Sequence, residues 1–327
     1  AQVVAASGLP GSSPSIRLRG STSLVNSSGS QQPLIIIDGV QLAGSGSLAD
    51  INSEDIQTIE VVKGAAASSL YGSRAANGVI NIITKRGASD QGKTEITFRT
   101  EYGNSFQQRQ IPLATHHAYE MNPDGTVNYS KLAADQIADN EYSRIYDQQQ
   151  RAFDPGSFVT NTLNIASRSA STNFFFSLNN TDQDGIVALA RGYQRQSVRA
   201  NIDHKISNKI KLSVSNYYMQ STQNDIPAGN PFYSLLFMPP DVDIFDPNEE
   251  DGSLYNWNVG EPASLERNPL YMLANQNVFD DTERFTGNYS LSYDIAPFLK
   301  AEGAYSMDRR QTSREYYIDK GYLSDDV

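Results

Sequence analysis

The stretch GASDQGKT, Gly87 to Thr94, satisfies the pattern G-x-x-x-x-G-K-[ST] at every fixed position. That pattern describes a loop whose backbone amides and lysine cradle nucleotide phosphates, and it needs a strand before the glycines and a helix after them. VINIITKR, Val79 to Arg86, supplies the strand. The segment after Thr94 has the wrong period for a helix: Ile96, Phe98 and Tyr102 fall on one face and Glu95, Thr97, Arg99 and Glu101 on the other, a period of two. With no helix dipole and with Asp90 inside the cradle, nucleotide binding fails. Gly87 to Gly92 reads instead as a flexible connector between two regions.

Other spacings that could do chemistry fail on similar grounds. Gly44-Ser45-Gly46-Ser47-Leu48-Ala49 fits G-x-G-x-x-A, but the helix after it is too short for dinucleotide binding. Asn180 to Gly185 imitates the start of a calcium loop, whose twelfth position would be Arg191 where a bidentate glutamate is required. His116 and His117 are adjacent, and neighbours seldom face one ligand sphere. The chain has no cysteine, which removes disulfides and thiolate metal sites. No cofactor is expected, with the acidic loop 246–251 (Asp246, Pro247, Asn248, Glu249, Glu250, Asp251) kept as a loose calcium candidate. No Ser/His/Asp or paired-carboxylate arrangement stands out, so the chain reads as a non-enzyme.

The elements around these residues divide the 327-residue chain in two. Residues 1–87 hold short β-branched runs (LIIIDG, TIEVVKG, GVINIITK), helix-start signals at Asp50 to Ile56, and a short helical turn from Ala65 to Gly72. Residues 88–93 are the connector. Residues 94–327 hold roughly seven alternating segments of ~10 residues, the length of a tilted strand crossing a bilayer. The apolar positions include Phe98, Leu163, Phe176, Ile202, Val214, Leu291 and Tyr305. Short turns at Ser169–Thr172, Ser207-Asn208 and Ala296-Pro297 alternate with long polar stretches at 104–157, 182–192 and 221–281. That asymmetry describes an outer-membrane barrel. Alternation alone fits a soluble antiparallel sandwich as well. No apolar run approaches the ~20 residues of a membrane helix, a test blind to barrels. A net charge of -11 without a basic run argues against nucleic acid.

PSIRLRGSTSL, PLIIIDGV and above all IEVVKGAAASSLYGSRAANGVINIITKRG, Ile59 to Gly87, resemble the plug domain of TonB-dependent outer-membrane transporters, and more narrowly the SusC/RagA family of Bacteroidetes. DQDGIV followed by SVRANIDHKI resembles the same family's early barrel strands, so the resemblance covers essentially the whole chain. It implies an α+β plug followed by the first strands of an antiparallel transmembrane β-barrel. It implies a bacterial outer-membrane location and import of oligosaccharides or peptides. The implied partners are a SusD-like surface lipoprotein and a TonB complex reached through a segment preceding Ala1. Roughly 85 residues of plug overfill seven or eight strands, whereas barrels of about 22 strands hold a plug, so most of the wall is expected beyond Val327.

The plug-motif and plug–barrel contact candidates are Arg17, Arg19, Gly20, Asp38, Gly39, Glu60, Lys63, Gly64, Tyr71, Gly72, Arg74, Asn77 and Gly78. Gly39 and Gly72 suit turns of positive φ. Arg17, Arg19, Glu60, Lys63 and Arg74 are potential ion-pair partners for a polar wall. Phe232, Tyr233, Tyr255 and Trp257, in the longest loop, are candidates for substrate or lid contact, since aromatic faces stack on sugars and anchor interfaces. The functional alternatives are a barrel serving a structural or secretion complex and a soluble β-sandwich carbohydrate-binding adhesin.

Overall fold

The computed structural model describes residues 2–4, 8–18, 32–42, 48–63, 65–116, 122–124, 141–142, 144–190, 192–226, 234–236, 238, 240–248, 252, 254–257 and 268–322. In the amino-terminal unit, β1 (Gln2–Val4) pairs antiparallel with β2 (Ser15–Arg17). A four-stranded mixed sheet in the order β4-β3-β6-β5 comprises β3 (Leu34–Ile37), β4 (Val40–Gln41), β5 (Ile56–Val62) and β6 (Val79–Thr84). The central pair, β3 and β6, runs parallel. Their unbroken apolar sequences, LIII and VINIIT, follow from burial on both faces: Ile35, Ile37, Ile80 and Ile82 pack with Leu18 and Leu42 on one side, while Leu34, Ile36 and Val79 pack with Ala67 and Ala75 on the other.

Local chemistry fixes the turns of this unit. Asp38-Gly39 joins β3 to β4 with φ of 47° and 85°, the positive-φ pair that a two-residue hairpin demands and that Asp-Gly supplies. At Gly78 (φ +95°) a Cβ would lie 2.6 Å from the Leu18 side chain, so the backbone approaches where only glycine fits. The helix-start signal at 50–56 resolves into two 3-10 turns, Leu48–Asp50 and Ser53–Asp55, the second capped by Asn52. The short helix α1 (Ala65–Tyr71) stops at Gly72, whose φ is +75°.

The connector is docked more firmly than a flexible hinge. Ala88 is buried, and the Gly92 amide donates to the Arg168 carbonyl. Beyond it, seven consecutive strands form one antiparallel sheet: β7 (Thr94–Ser105), β8 (Gly156–Arg168), β9 (Thr172–Gln183), β10 (Tyr193–Lys205), β11 (Ile210–Asp225), β12 (Gln276–Ala296) and β13 (Leu299–Ile318). Each pairs with its sequence neighbours, and β7 and β13 are the free edges among the described residues.

Register decides which way this wall faces. Phe98, Leu163, Leu178, Val198, Tyr218 and Phe285 are cross-strand partners in one row, and Phe174, Ile202, Val214, Tyr289 and Tyr305 in another. Phe98 is 69% exposed, Ile202 42% and Leu291 47%. The opposite face carries Asn179, Ser197, Arg199, Asn201, Ser215, Arg284 and Thr286, all buried, and Arg199, Asn201, Ser215 and Arg284 bond to the amino-terminal unit. A water-soluble sandwich buries its apolar face. This sheet buries its polar one, and the sandwich alternative falls with that observation. From Phe285 to Ile295, the apolar outward positions of β12 advance ~34 Å along the strand at ~3.4 Å per residue. At a tilt of ~45° that is ~24 Å of height, close to the ~25 Å lipid-facing band of outer-membrane barrels.

The turns divide by length across this band. Tight turns at Ser169–Thr172, Lys205–Ile210 and Ala296–Leu299 close one end. The long connections lie at the other, and parts of them fold into a cap with its own core of Ala152, Leu235, Met238, Ile244 and Leu270. The cap includes the helices α2 (Gln148–Ala152) and α3 (Pro269–Asn275). Asn268 ties it together, with its side-chain amide donating to the carbonyls of Ile244 and Asn256 and its oxygen capping α3 at the Leu270 amide.

A charge on the outward face tests this orientation. Ile202→Lys should destabilise the protein folded in lipid vesicles by ~2–4 kcal/mol if the site lies near the bilayer midplane. An equally exposed position of a soluble protein would lose about 0.5 kcal/mol or less. Urea titration of vesicle-embedded protein reads the difference.

Candidate functional site

The interface between the amino-terminal unit and the wall is where the chain concentrates its buried charge. Alternation along β10, β11 and β12 aims every second side chain inward, and among these are Arg195, Arg199, Ser215, Tyr217 and Arg284. The unit meets them with the β3–β4 hairpin and the two 3-10 turns, which carry Asp38, Asp50 and Asp55.

Arg199 is the most enclosed of these charges, with its side chain 1% exposed. Its Nε donates to Asp55 Oδ2 at 2.9 Å, its Nη1 lies 3.8 Å from Asp38 Oδ2, and its guanidinium stacks 4.4 Å over the Tyr217 ring. Asp38 is held from within its own unit by the Thr84 amide (2.9 Å) and hydroxyl (2.5 Å), and from the wall by Ser215 at 3.0 Å. Asn201 continues the network, donating to Thr84 Oγ1 and to the Lys85 carbonyl, each at 2.7 Å.

A second centre forms around Asp50. Arg284 Nη1 donates to its Oδ2 at 2.8 Å and Arg310 Nε to the same oxygen at 3.1 Å. Arg284 also grips Asp308 with two further bonds, at 3.0 and 2.9 Å. The Tyr217 hydroxyl donates to the Asp50 carbonyl, and Arg195 donates to the carbonyls of Ala49 and Ile51. At the tight-turn end the polarity reverses: Arg86 of the unit pairs with Asp203 of the wall at 2.7 Å. Beside the Asp50 centre lies a recess of about 260 Å³, lined by Ser12, Gln32, Tyr193, Ser221 and Arg310 among others. Its hydroxyl, amide and charged groups can bind and position a polar molecule by hydrogen bonds.

The motif residues named from sequence fall in several places. Asp38 and Gly39 meet the wall, where Asn288 donates to the Asp38 carbonyl. Glu60 accepts from Asn81 at 3.2 Å, Arg74 donates to Gln41 at 3.3 Å, and Asn77 donates to the Gln32 carbonyl at 3.4 Å, all inside the amino-terminal unit. Tyr71 packs on the cluster around Ala67, and Gly72 and Gly78 make turns. Arg17 and Lys63 are exposed. Arg17, Lys63 and Arg74 have no hydrogen bond or ion pair to the seven strands among the described residues. Arg19, Gly20, Gly64, Phe232, Tyr233 and, from the rejected motifs, Gly44 to Ser47, His117 and Arg191 lie outside the described residues, as do Glu249, Glu250 and Asp251 of the acidic loop. Tyr255 is half-buried against the cap core and meets Phe245 edge-on at 5.9 Å, while Trp257 is half-buried and its carbonyl accepts from the Asn268 amide.

The residues that sequence reasoning missed are Asp50, Asp55, Arg195, Arg199, Arg284 and Arg310. The available signal was an arginine at an inward, alternating position among small polar residues, as in SVRANID.

The comparisons with known proteins agree with this geometry. Residues 1–79 match the family model described as the TonB-dependent Receptor Plug Domain. TonB-dependent receptor P26 of Formosa agariphila is 29% identical over 89% of this chain, and TonB-dependent receptor SusC of Bacteroides thetaiotaomicron is 26% identical over the same share. The RagAB peptide importer in its closed-closed state superposes with a TM-score of 0.76 over 96% of this chain and 38% of that one, at 22% identity, a likeness of fold. The chain is similar over most of its length to the SusC/RagA family of TonB-dependent receptors, and its first 79 residues match the plug domain of such receptors. The family is one of the bacterial outer membrane and is not enzymatic. The chain spans 29% and 30% of the lengths of the two curated relatives. In this receptor the amino-terminal unit is the plug and the seven strands are barrel wall.

Removing one partner of a buried ion pair leaves the other charge uncompensated, at a cost of ~3–5 kcal/mol. Arg199→Met should therefore loosen the plug from the wall, measured as accelerated proteolytic cleavage near Asp55. Pairing it with Asp55→Asn should recover a large part of the loss. Additive damage in the double variant would show that the two groups are not coupled.

Proposed function

We propose that the intact receptor imports oligosaccharides or peptides across the outer membrane. In this reading a TonB complex supplies the energy and a SusD-like surface lipoprotein captures substrate. One observation carries the reading: a wall with its apolar face outward holds a folded plug on its polar inner face through buried, hydrogen-bonded charge. A polar-lined barrel is a water-filled conduit, and a folded unit seated in it blocks passage. Solute then crosses when the plug shifts, so the machine needs an energy input on one side and a ligand-capturing surface on the other.

The plug–wall contact suits a part that must move and return. Its ion pairs can exchange protein partners for water as the unit shifts, which an apolar interface of equal area cannot do without exposing greasy surface. The relatives named SusC and the RagAB peptide importer support import as the class of activity, one at 26% identity and the other by fold. The recess beside Asp50, rich in hydroxyls and amides, suits a polar ligand such as a sugar or a peptide backbone.

Growth of a deletion strain on a panel of glycans and peptides tests the proposal. Loss of growth on at least one polymer, restored by the wild-type gene, is the expected outcome. Unchanged uptake of every nutrient, with loss of a secreted or surface-assembled complex, would instead favour the structural role.

A further inference from the structure

At the tight-turn end the wall and plug line a second, open recess, of about 700 Å³, which shares no lining residue with the one beside Asp50. Its lining includes Arg86 of the plug, Arg168 at the end of β8, and Lys205 and Lys211, together with Ser171 and Asp203. With four cations against one carboxylate, it is strongly basic in a chain whose net charge is -11. Lys205 and Lys211 are direct cross-strand partners on the inward face. Like charges placed opposite each other destabilise a strand pair unless something neutralises them. Neither ammonium has an ion-pair or hydrogen-bond partner among the described residues. The one carboxylate in the recess, Asp203, is engaged by Arg86 at 2.7 Å and by the Ser213 hydroxyl at 2.6 Å.

We propose that this recess docks a carboxylate-rich peptide segment of a partner on the tight-turn side of the membrane. The volume is in the range of built ligand sites and far exceeds a single small anion. Ammonium groups suit a flexible acidic chain, because each is a compact point charge free to follow a carboxylate. The Arg86–Asp203 pair shows that the recess already accepts this chemistry, and it gives docking a consequence. An incoming carboxylate competes with Asp203 for Arg86, which with the Asn201 contacts to Thr84 and Lys85 ties the end of β6 to the wall. Binding of an acidic partner thereby weakens one of the plug–wall contacts at this end.

The test uses full-length protein in detergent and fluorescein-labelled hexaglutamate, with binding read by anisotropy at low and at physiological ionic strength. Hexaglutamate should bind and hexalysine should not. The double variant Lys205→Gln/Lys211→Gln relieves a like-charge pair and so keeps its fold; it should bind about tenfold more weakly, as the loss of two charge-assisted contacts requires. Asp203→Asn, which frees Arg86, should tighten binding several-fold. Lys300→Gln, at the start of β13 and paired with Glu302, should change nothing. Equal hexaglutamate affinity in wild type and double variant would overturn the proposal. So would a recess that ignores hexaglutamate but binds inorganic phosphate or phosphatidylglycerol vesicles through the same two lysines.

Discussion

Burial of polar groups is the constraint on which this structure depends. A wall whose outer face meets hydrocarbon must turn its polar residues inward, and a polar group removed from water costs free energy unless it is paired. The plug resolves that demand. Arg199 sits between two plug carboxylates and a tyrosine ring, and Asp50 receives two wall arginines. Either surface alone would expose or strand these charges. Together they satisfy most of each other's hydrogen-bonding capacity, although one Arg199 nitrogen, Nη2, has no partner among the described residues. The fold of the plug is thus answerable to the wall: the Asp38-Gly39 hairpin and the 3-10 turns are the parts that present the carboxylates.

The sequence showed this architecture unevenly, and the reasons are physical. Period-two alternation is a direct record of strand geometry, so all seven strands were legible, as was the outward set Phe98, Ile202 and Leu291. The plug was legible through glycines and small residues that tolerate few alternatives, Gly78 against Leu18 being one. Charge partners were not legible. Arg17, Arg19 and Arg74 stood out because they flank a motif, while Asp50 and Asp55 look like ordinary helix-start residues until the 3-10 turns aim them at the wall. Pairing across 144 residues, as between Asp55 and Arg199, leaves no periodic trace.

The long connections illustrate a different limit. They read as polar loops, yet Leu235, Met238, Ile244 and Leu270 meet Ala152 to form a core of their own. No period announces a core assembled from irregular segments. Its organiser is a single buried amide, Asn268, which satisfies two carbonyls and caps a helix at once. Arg151 adds to it by pairing with Asp243 and stacking over Phe245. Tyr255, a candidate for ligand contact, is anchored in this core through Phe245. The cap therefore presents a preformed surface, whose ordering entropy is already met by its own packing.

The two free edges of the wall carry the argument one step further. β7 and β13 are exposed along almost their whole length, and each leaves a row of backbone donors and acceptors unpaired. In water an edge strand is merely a liability. In hydrocarbon every unpaired peptide group costs several kcal/mol, which is why spanning sheets close on themselves. The plug shows the same asymmetry, because the faces bearing Asp50 and Asp55 are buried while Ile59, Val61 and Leu70 remain exposed on β5 and α1. The exposed flank of the plug is mixed in character, because Gln57, Glu60 and Arg74 are exposed beside Ile59, Val61 and Leu70, whereas the flank that meets β10–β12 is held by buried, hydrogen-bonded charge.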